Sequence, residues 1–142
     1  MTKIVETAHI GEPAGEVWEH VGRFSAIGDW HAMVAKVTSE GDEVGSVRRI
    51  ETTDGATSIE RLIEISSAPF FYRYSIEASP LPVRDYVGEL RVDDNGDGTS
   101  TVVWAADFEL ALSSFRTLEG VRSFIKTGLT SISDQHRRVL KS

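Results

Sequence analysis

The sequence predicts an α+β fold. A curved antiparallel sheet of seven strands is closed by one long C-terminal helix, with two short helices after the first strand. Three observations lead there. Leu118, Val121, Ile125, Leu129, Ile132, Val139 and Leu140 recur at helical spacing, so residues from about Leu118 to Leu140 carry one apolar stripe. Between Val34 and Leu110, short alternating segments are separated by turn sequences. Ahead of these come one strand-like segment and one helical stripe.

Residues 3–10 read as the first strand, with Ile4, Ala8 and Ile10 on one face and Glu6 among them. Pro13 suits the first position of a helix whose stripe is Ala14, Val17, Trp18, Val21 and Phe24. Gly22 and Gly28 suggest a break, with a short second helix around Ser25–Trp30. Strands follow at Val34–Ser39, Ser46–Thr52 and Thr57–Ile65. The pair Asp54-Gly55 joins the last two as a hairpin turn. Phe70–Glu77 places Phe70, Tyr72, Tyr74 and Ile76 on one face. Pro80 and Pro82 exclude a central strand, because each lacks a ladder donor. Tyr86–Val92 and Thr99–Leu110 complete the meander, the latter aligning Val102, Trp104, Ala106, Phe108 and Leu110. For the long helix, Ser113, Ser114 or Thr117 could cap the start, and Glu119 suits its first turn. Arg137, Arg138 and Lys141 suit the other end. A one-sided sheet must twist. One helix laid across it tends to leave space for a small molecule.

Composition narrows the function. A chain of 142 residues with 40% hydrophobic and 26% charged residues fits a single ordered domain, 1–142. Cysteine is absent, which removes disulfides, thiolate catalysis and thiolate metal sites. The net charge of −7 argues against nucleic acid. The first residues show no signal-peptide core and no apolar run could span a bilayer, so a cytoplasmic protein without membrane insertion is expected. His9, His20 and His136 lack partners at metal spacing, and Asp93–Gly98 lacks the glutamate that ends a calcium loop. Neither a metal nor another cofactor is expected. A monomer or weak homodimer is anticipated.

Several residues are candidates for chemistry. Glu60 lies within a half-buried strand, where a carboxylate needs a partner. Strand parity by itself favours Ile59 and Ile63 as the inward set, with Glu60 on the surface. Arg48 could pair with Glu60 across the strands or hold an anionic ligand group. Adjacent Arg49 competes for the inward position. His31 is either a proton shuttle or the end of the short helix. Tyr72, Tyr74, Tyr86, Trp104 and Phe108 form an inward aromatic set that either fills a core or borders a ligand. Leu81 lies in the proline loop beside them. Gly128 breaks the helix propensity and marks either ligand clearance or close packing.

The ordered set of Pro13-Ala14, Val17-Trp18, Phe24, Trp30-His31, Gly45–Arg49, Glu60–Leu62, Tyr72-x-Tyr74, Pro80–Val83 with Tyr86, and Trp104 with Phe108 resembles the polyketide cyclase/dehydrase-like (SRPBCC) branch of the START/Bet v 1-like superfamily. The resemblance runs nearly end to end and implies the helix-grip fold. Thr57–Leu62 is similar to the strand of plant abscisic-acid receptors whose glutamate faces the cavity. That likeness turns Glu60 inward and matches Tyr86 to a pocket tyrosine. It also matches residues 52–57 and 79–85 to gate and latch loops, although no proline stands in this gate. Plant lachrymatory-factor synthases look similar too; their catalytic arginine and glutamate correspond to Arg48 and Glu60. The resemblance implies binding of a small hydrophobic molecule, such as a polyketide or lipid, between sheet and helix. One alternative is a metal-free cyclase, dehydratase or isomerase with Glu60, Arg48 and His31 as its acid–base groups. The other is a protein-interaction module.

Overall fold

The structure, a computed structural model, describes residues 2–111 and 115–141, with side chains described for 2–111 and 116–135. Strand β1 (Thr2–Ile10) leads into helix α1 (Ala14–Val21), a 3-10 turn (Phe24–Ala26) and helix α2 (Ile27–Trp30). Six strands follow: β2 (Val34–Ser39), β3 (Val47–Thr52), β4 (Thr57–Ser67), β5 (Phe70–Ala78), β6 (Val83–Asp94) and β7 (Ser100–Leu110). Helix α3 (Phe115–Lys141) closes the chain.

All neighbouring strands are antiparallel, in the order β1-β7-β6-β5-β4-β3-β2. Tight turns explain the β2-to-β7 meander, since an antiparallel pair needs only a short link. β1 reaches the far edge and pairs with β7 from Thr2↔Phe108 to Ile10↔Ser100. Alternation then divides the faces. Ile4, Ile50, Leu62, Tyr72, Leu90, Val102, Trp104 and Phe108 are buried. Val121, Ile125, Leu129 and Ile132 on α3 are buried with them in one core. Each such side chain contributes roughly 1.5–3 kcal/mol on leaving water. Pairing shifts at Ile59/Glu60 and Leu62/Glu64 in β4, and at Arg84/Val87 in β6, bend the sheet.

The element ends differ from the sequence reading in small ways. Pro13 is the N-cap of α1 instead of its first residue. Phe24 belongs to the 3-10 turn, because α1 stops at Gly22, where a Cβ would lie 2.5 Å from the Trp18 ring. Helix α3 begins at Phe115, which puts Thr117 inside it, buried and not capping, and Glu119 beyond its first turn. Backbone hydrogen bonding thus carries the helix one turn ahead of the apolar stripe that marked it. Ser113 and Ser114 lie outside the described residues. So do the side chains of His136, Arg137, Arg138, Val139, Leu140 and Lys141. Among the described residues, no helix is long and apolar enough to cross a membrane.

Candidate functional site

A cavity of about 240 Å³ lies between the sheet and the first half of α3. Ile50, Tyr74, Ile76 and Tyr86 come from the sheet. Val121 and Phe124 come from the helix. Thr52 at the end of β3, Asp54 on the turn after it, and Pro80 and Leu81 on the β5–β6 loop form the rim. Both segments matched to gate and latch loops therefore border the hollow. Thr53 N–H donates to the Met33 carbonyl at 2.9 Å, which anchors the first of them.

Glu60 borders the hollow from β4 and is buried. Its inward direction follows from β4, where Ser58, Glu60 and Leu62 share the inner face and Ile63 is exposed. Ile59 and Ile63 thus lie on the opposite face of β4 from Glu60, reversing the parity argument that favoured them as the inward set. Arg48 stands directly across the ladder. Its Nε donates to Glu60 Oε1 at 2.9 Å. Nη2 lies 2.7 Å from the same oxygen, an ion-pair contact poorly angled for a hydrogen bond. Nη1 donates to the Phe24 carbonyl at 2.7 Å and approaches the Tyr72 hydroxyl at 3.4 Å. The guanidinium also lies 3.9 Å from the Phe24 ring centre, a cation–π contact. Arg48 is fully buried, whereas Arg49 is exposed and reaches Glu51. The arginine question is thereby decided by geometry. Arg48 does not border the cavity; it stands behind Glu60 and holds it.

A second polar line ends at the same hollow. Trp104 Nε1–H donates to the Tyr74 hydroxyl at 3.1 Å, and the Tyr74 ring lies beside the Tyr86 ring, with centres 6.3 Å apart. A hydroxyl that accepts from the indole has its own proton to give onward. Tyr86 lines the cavity as a second phenol. Burial raises both tyrosines above their ordinary range, and the negative charge of Glu60 adds to this. They are therefore neutral donors at physiological pH. Gly88, paired with Tyr74, makes this possible, because a Cβ there would collide with the Tyr74 ring. Glycine in a strand interior was the available signal for such a close approach.

The other predicted residues fill the adjoining core. Tyr72 packs beside Trp18, Phe24 and Arg48. Phe108 stacks under Tyr86 with ring centres 5.4 Å apart. Neither borders the hollow, nor does Trp104. A Cβ at Gly128 would lie 2.6 Å from Trp104 and 2.7 Å from His31, so this glycine admits those rings against α3 and provides no ligand clearance. His31 has both nitrogens engaged. Met33 N–H donates to Nδ1 at 3.1 Å, which leaves Nε2–H to donate to the Phe124 carbonyl at 2.9 Å. Burial lowers its pKa to about 4, the nearby Arg48 charge adds to the lowering, and the Phe124 hydrogen bond opposes it. His31 fastens α2 to α3 and is placed away from the hollow. Phe124, which sequence reading missed, stacks on His31 at 4.1 Å and lines the cavity, forming its end wall. Its helical spacing from Val121 was the available signal. Among the described residues, no group of three or more His, Asp or Glu is placed to hold a metal.

These features define a helix-grip domain with a hollow under its long helix. The family model described as polyketide cyclase/dehydrase and lipid transport matches residues 1–137, and the chain belongs to that family. Among solved structures it is similar to the protein XoxI of Bacillus cereus, at 25% identity and a TM-score of 0.90, covering 98% of each chain. A protein from Thermobifida fusca is 28% identical, with a TM-score of 0.82 over 97% of this chain and 95% of that one. The Zhui aromatase/cyclase from Streptomyces sp. R1128 is 19% identical, with a TM-score of 0.83 over 98% and 95%; this likeness concerns the fold. No curated protein matches the sequence.

Proposed function

We propose that this protein binds a small hydrophobic molecule, a polyketide, lipid or similar compound, in the cavity between the sheet and α3. The observation that carries the reading is an apolar hollow with the Glu60 carboxylate and the Tyr74 and Tyr86 phenols on its wall and Asp54 at its rim. Apolar burial would supply the affinity, while these polar groups fix orientation. The volume of about 240 Å³ sits just below the ~300–1,000 Å³ of ordinary ligand pockets. It suits a compact molecule, or one end of a longer one emerging past the exposed rim residues Asp54 and Pro80. The test is a hydrophobic compound panel read by thermal shift and by chemical-shift mapping. Shifts at Tyr74, Tyr86, Leu81 and Phe124 are expected. Shifts confined to the outer sheet face would refute the reading.

A second reading rests on the presence of an acceptor and a donor at one hollow. Glu60 would take a proton from the bound molecule, and Tyr86 would steady the oxyanion charge that develops. Glu60→Gln separates the two readings. Loss of turnover with binding retained assigns chemistry to the site. Unchanged ligand and weakened affinity assign carriage alone.

A further inference from the structure

The two carboxylate oxygens of Glu60 are not equivalent. Oε1 receives both Arg48 contacts, at 2.9 and 2.7 Å. Among the described residues, the hydrogen-bond partner of Oε2 is Ser58 Oγ at 3.4 Å, well beyond the roughly 2.7–2.8 Å usual for a hydroxyl donor. Both residues border the cavity. A buried carboxylate oxygen with one long contact has acceptor capacity left over.

The positive charge that balances Glu60 is unavailable to a ligand. Arg48 is fully buried, is committed to Glu60, the Phe24 carbonyl and Tyr72, and does not reach the hollow. Among the described residues, no lysine, arginine or histidine lines the cavity, whereas Glu60 and Asp54 do. An anionic group placed inside would lose its water and gain no cation in return. A cation placed beside Glu60 would meet a charge already neutralised by Arg48. A neutral hydroxyl fits without either cost. It can donate to Glu60 Oε2 and accept from the Tyr86 hydroxyl.

We infer that the cavity selects for a neutral, hydroxyl-bearing end group and rejects carboxylates, the hydroxyl being seated between Glu60 Oε2 and Tyr86. This rests on the cavity being a binding site, and it adds a charge preference that the apolar lining alone would not impose.

The experiment compares 1-octanol with octanoate, two probes with the same chain length, at neutral pH. Affinities come from chemical-shift titration. Orientation comes from nuclear Overhauser contacts to the Tyr74 and Tyr86 rings. Octanol is expected to bind head-inward, its C1 protons near those rings, and octanoate to bind at least about tenfold more weakly or tail-inward, since an unpaired charge must otherwise be buried. In Glu60→Gln the affinity ratio is expected to shrink, because the anionic acceptor is gone. Equal affinities, or octanoate seated head-inward, overturn the inference while leaving the binding site standing. Silence from both probes overturns the inference and the underlying reading together. The wild-type orientation decides the matter even if Glu60→Gln fails to fold.

Discussion

The cleft under α3 has two ends, built from similar residues with opposite results. At one end Trp30, His31 and Trp104 pack together, with ring centres 5.6–5.8 Å apart, and α3 presents Gly128 to them. That end is solid. At the other, Tyr74 and Tyr86 also face inward, yet about 240 Å³ is left open beneath Val121 and Phe124. The stacked pair Phe124 and His31 forms the partition. Inward aromatic residues therefore do not make a cavity. What differs is how closely the helix is allowed to approach, and whether the neighbouring strand offers apolar or polar groups. At the solid end, glycine brings helix and rings into contact. At the open end, β4 contributes Ser58 and Glu60, whose polar atoms cannot be packed against apolar neighbours without cost.

The largest expected effect breaks the open end. Arg48→Met leaves the Glu60 carboxylate buried without its partner, so unfolding by urea should show a loss of ~3–5 kcal/mol. The double variant with Glu60→Gln should recover part of it. A loss no larger than that of a surface ion pair, below about 1 kcal/mol, would mean that the pair does not organise this end.

The next effect sharpens the solid end. The pKa of His31 is lowered from 6.5 to about 4 in the folded chain, chiefly by burial. The unfolded chain therefore binds the proton first as pH falls, and the folded state loses stability between pH ~6.5 and ~4. The full loss is about 3 kcal/mol, at 1.36 kcal/mol per pH unit. A melting-temperature series across this range should show a slope that His31→Gln lacks. An unchanged slope would place the acid sensitivity elsewhere.

The smallest effect compares the ends directly on one helix. Gly128→Ala drives a methyl group into Trp104 and His31 and should cost about 1–3 kcal/mol. Gly120→Ala, at the open end, meets nothing within 4 Å and should gain up to about 1 kcal/mol of helix propensity. Denaturant midpoints of both variants test the contrast, and equal signs would contradict it.

Much of this was legible before any coordinates. Val102, Trp104, Ala106 and Phe108 alternate without interruption, and all are buried. Tyr72 and Tyr74 behave likewise. The helical stripe placed Val121, Ile125, Leu129 and Ile132 in the core. In these elements burial and periodicity agree, because nothing competes with packing. Strand β4 was not legible by the same rule. Its isoleucines suggest one inner face, and the ladder gives the other. Only the resemblance to a known family pointed Glu60 inward. The roles of Gly128 and His31 were also open, since a glycine or a histidine in one dimension does not say which ring lies opposite.

The sequence by itself determined the order of elements, the antiparallel meander, the amphipathic closing helix and most of the buried set, since each is encoded in local spacing. Only the tertiary structure decided that Arg48 and not Arg49 holds Glu60, that Phe124 partitions the cleft, and that Trp104, Tyr72 and Phe108 support the hollow without touching it. The reason is physical. Which atoms share a space depends on strand register, on bends in the sheet and on the distance at which a helix comes to rest, and all three are set by contacts between residues far apart in the chain.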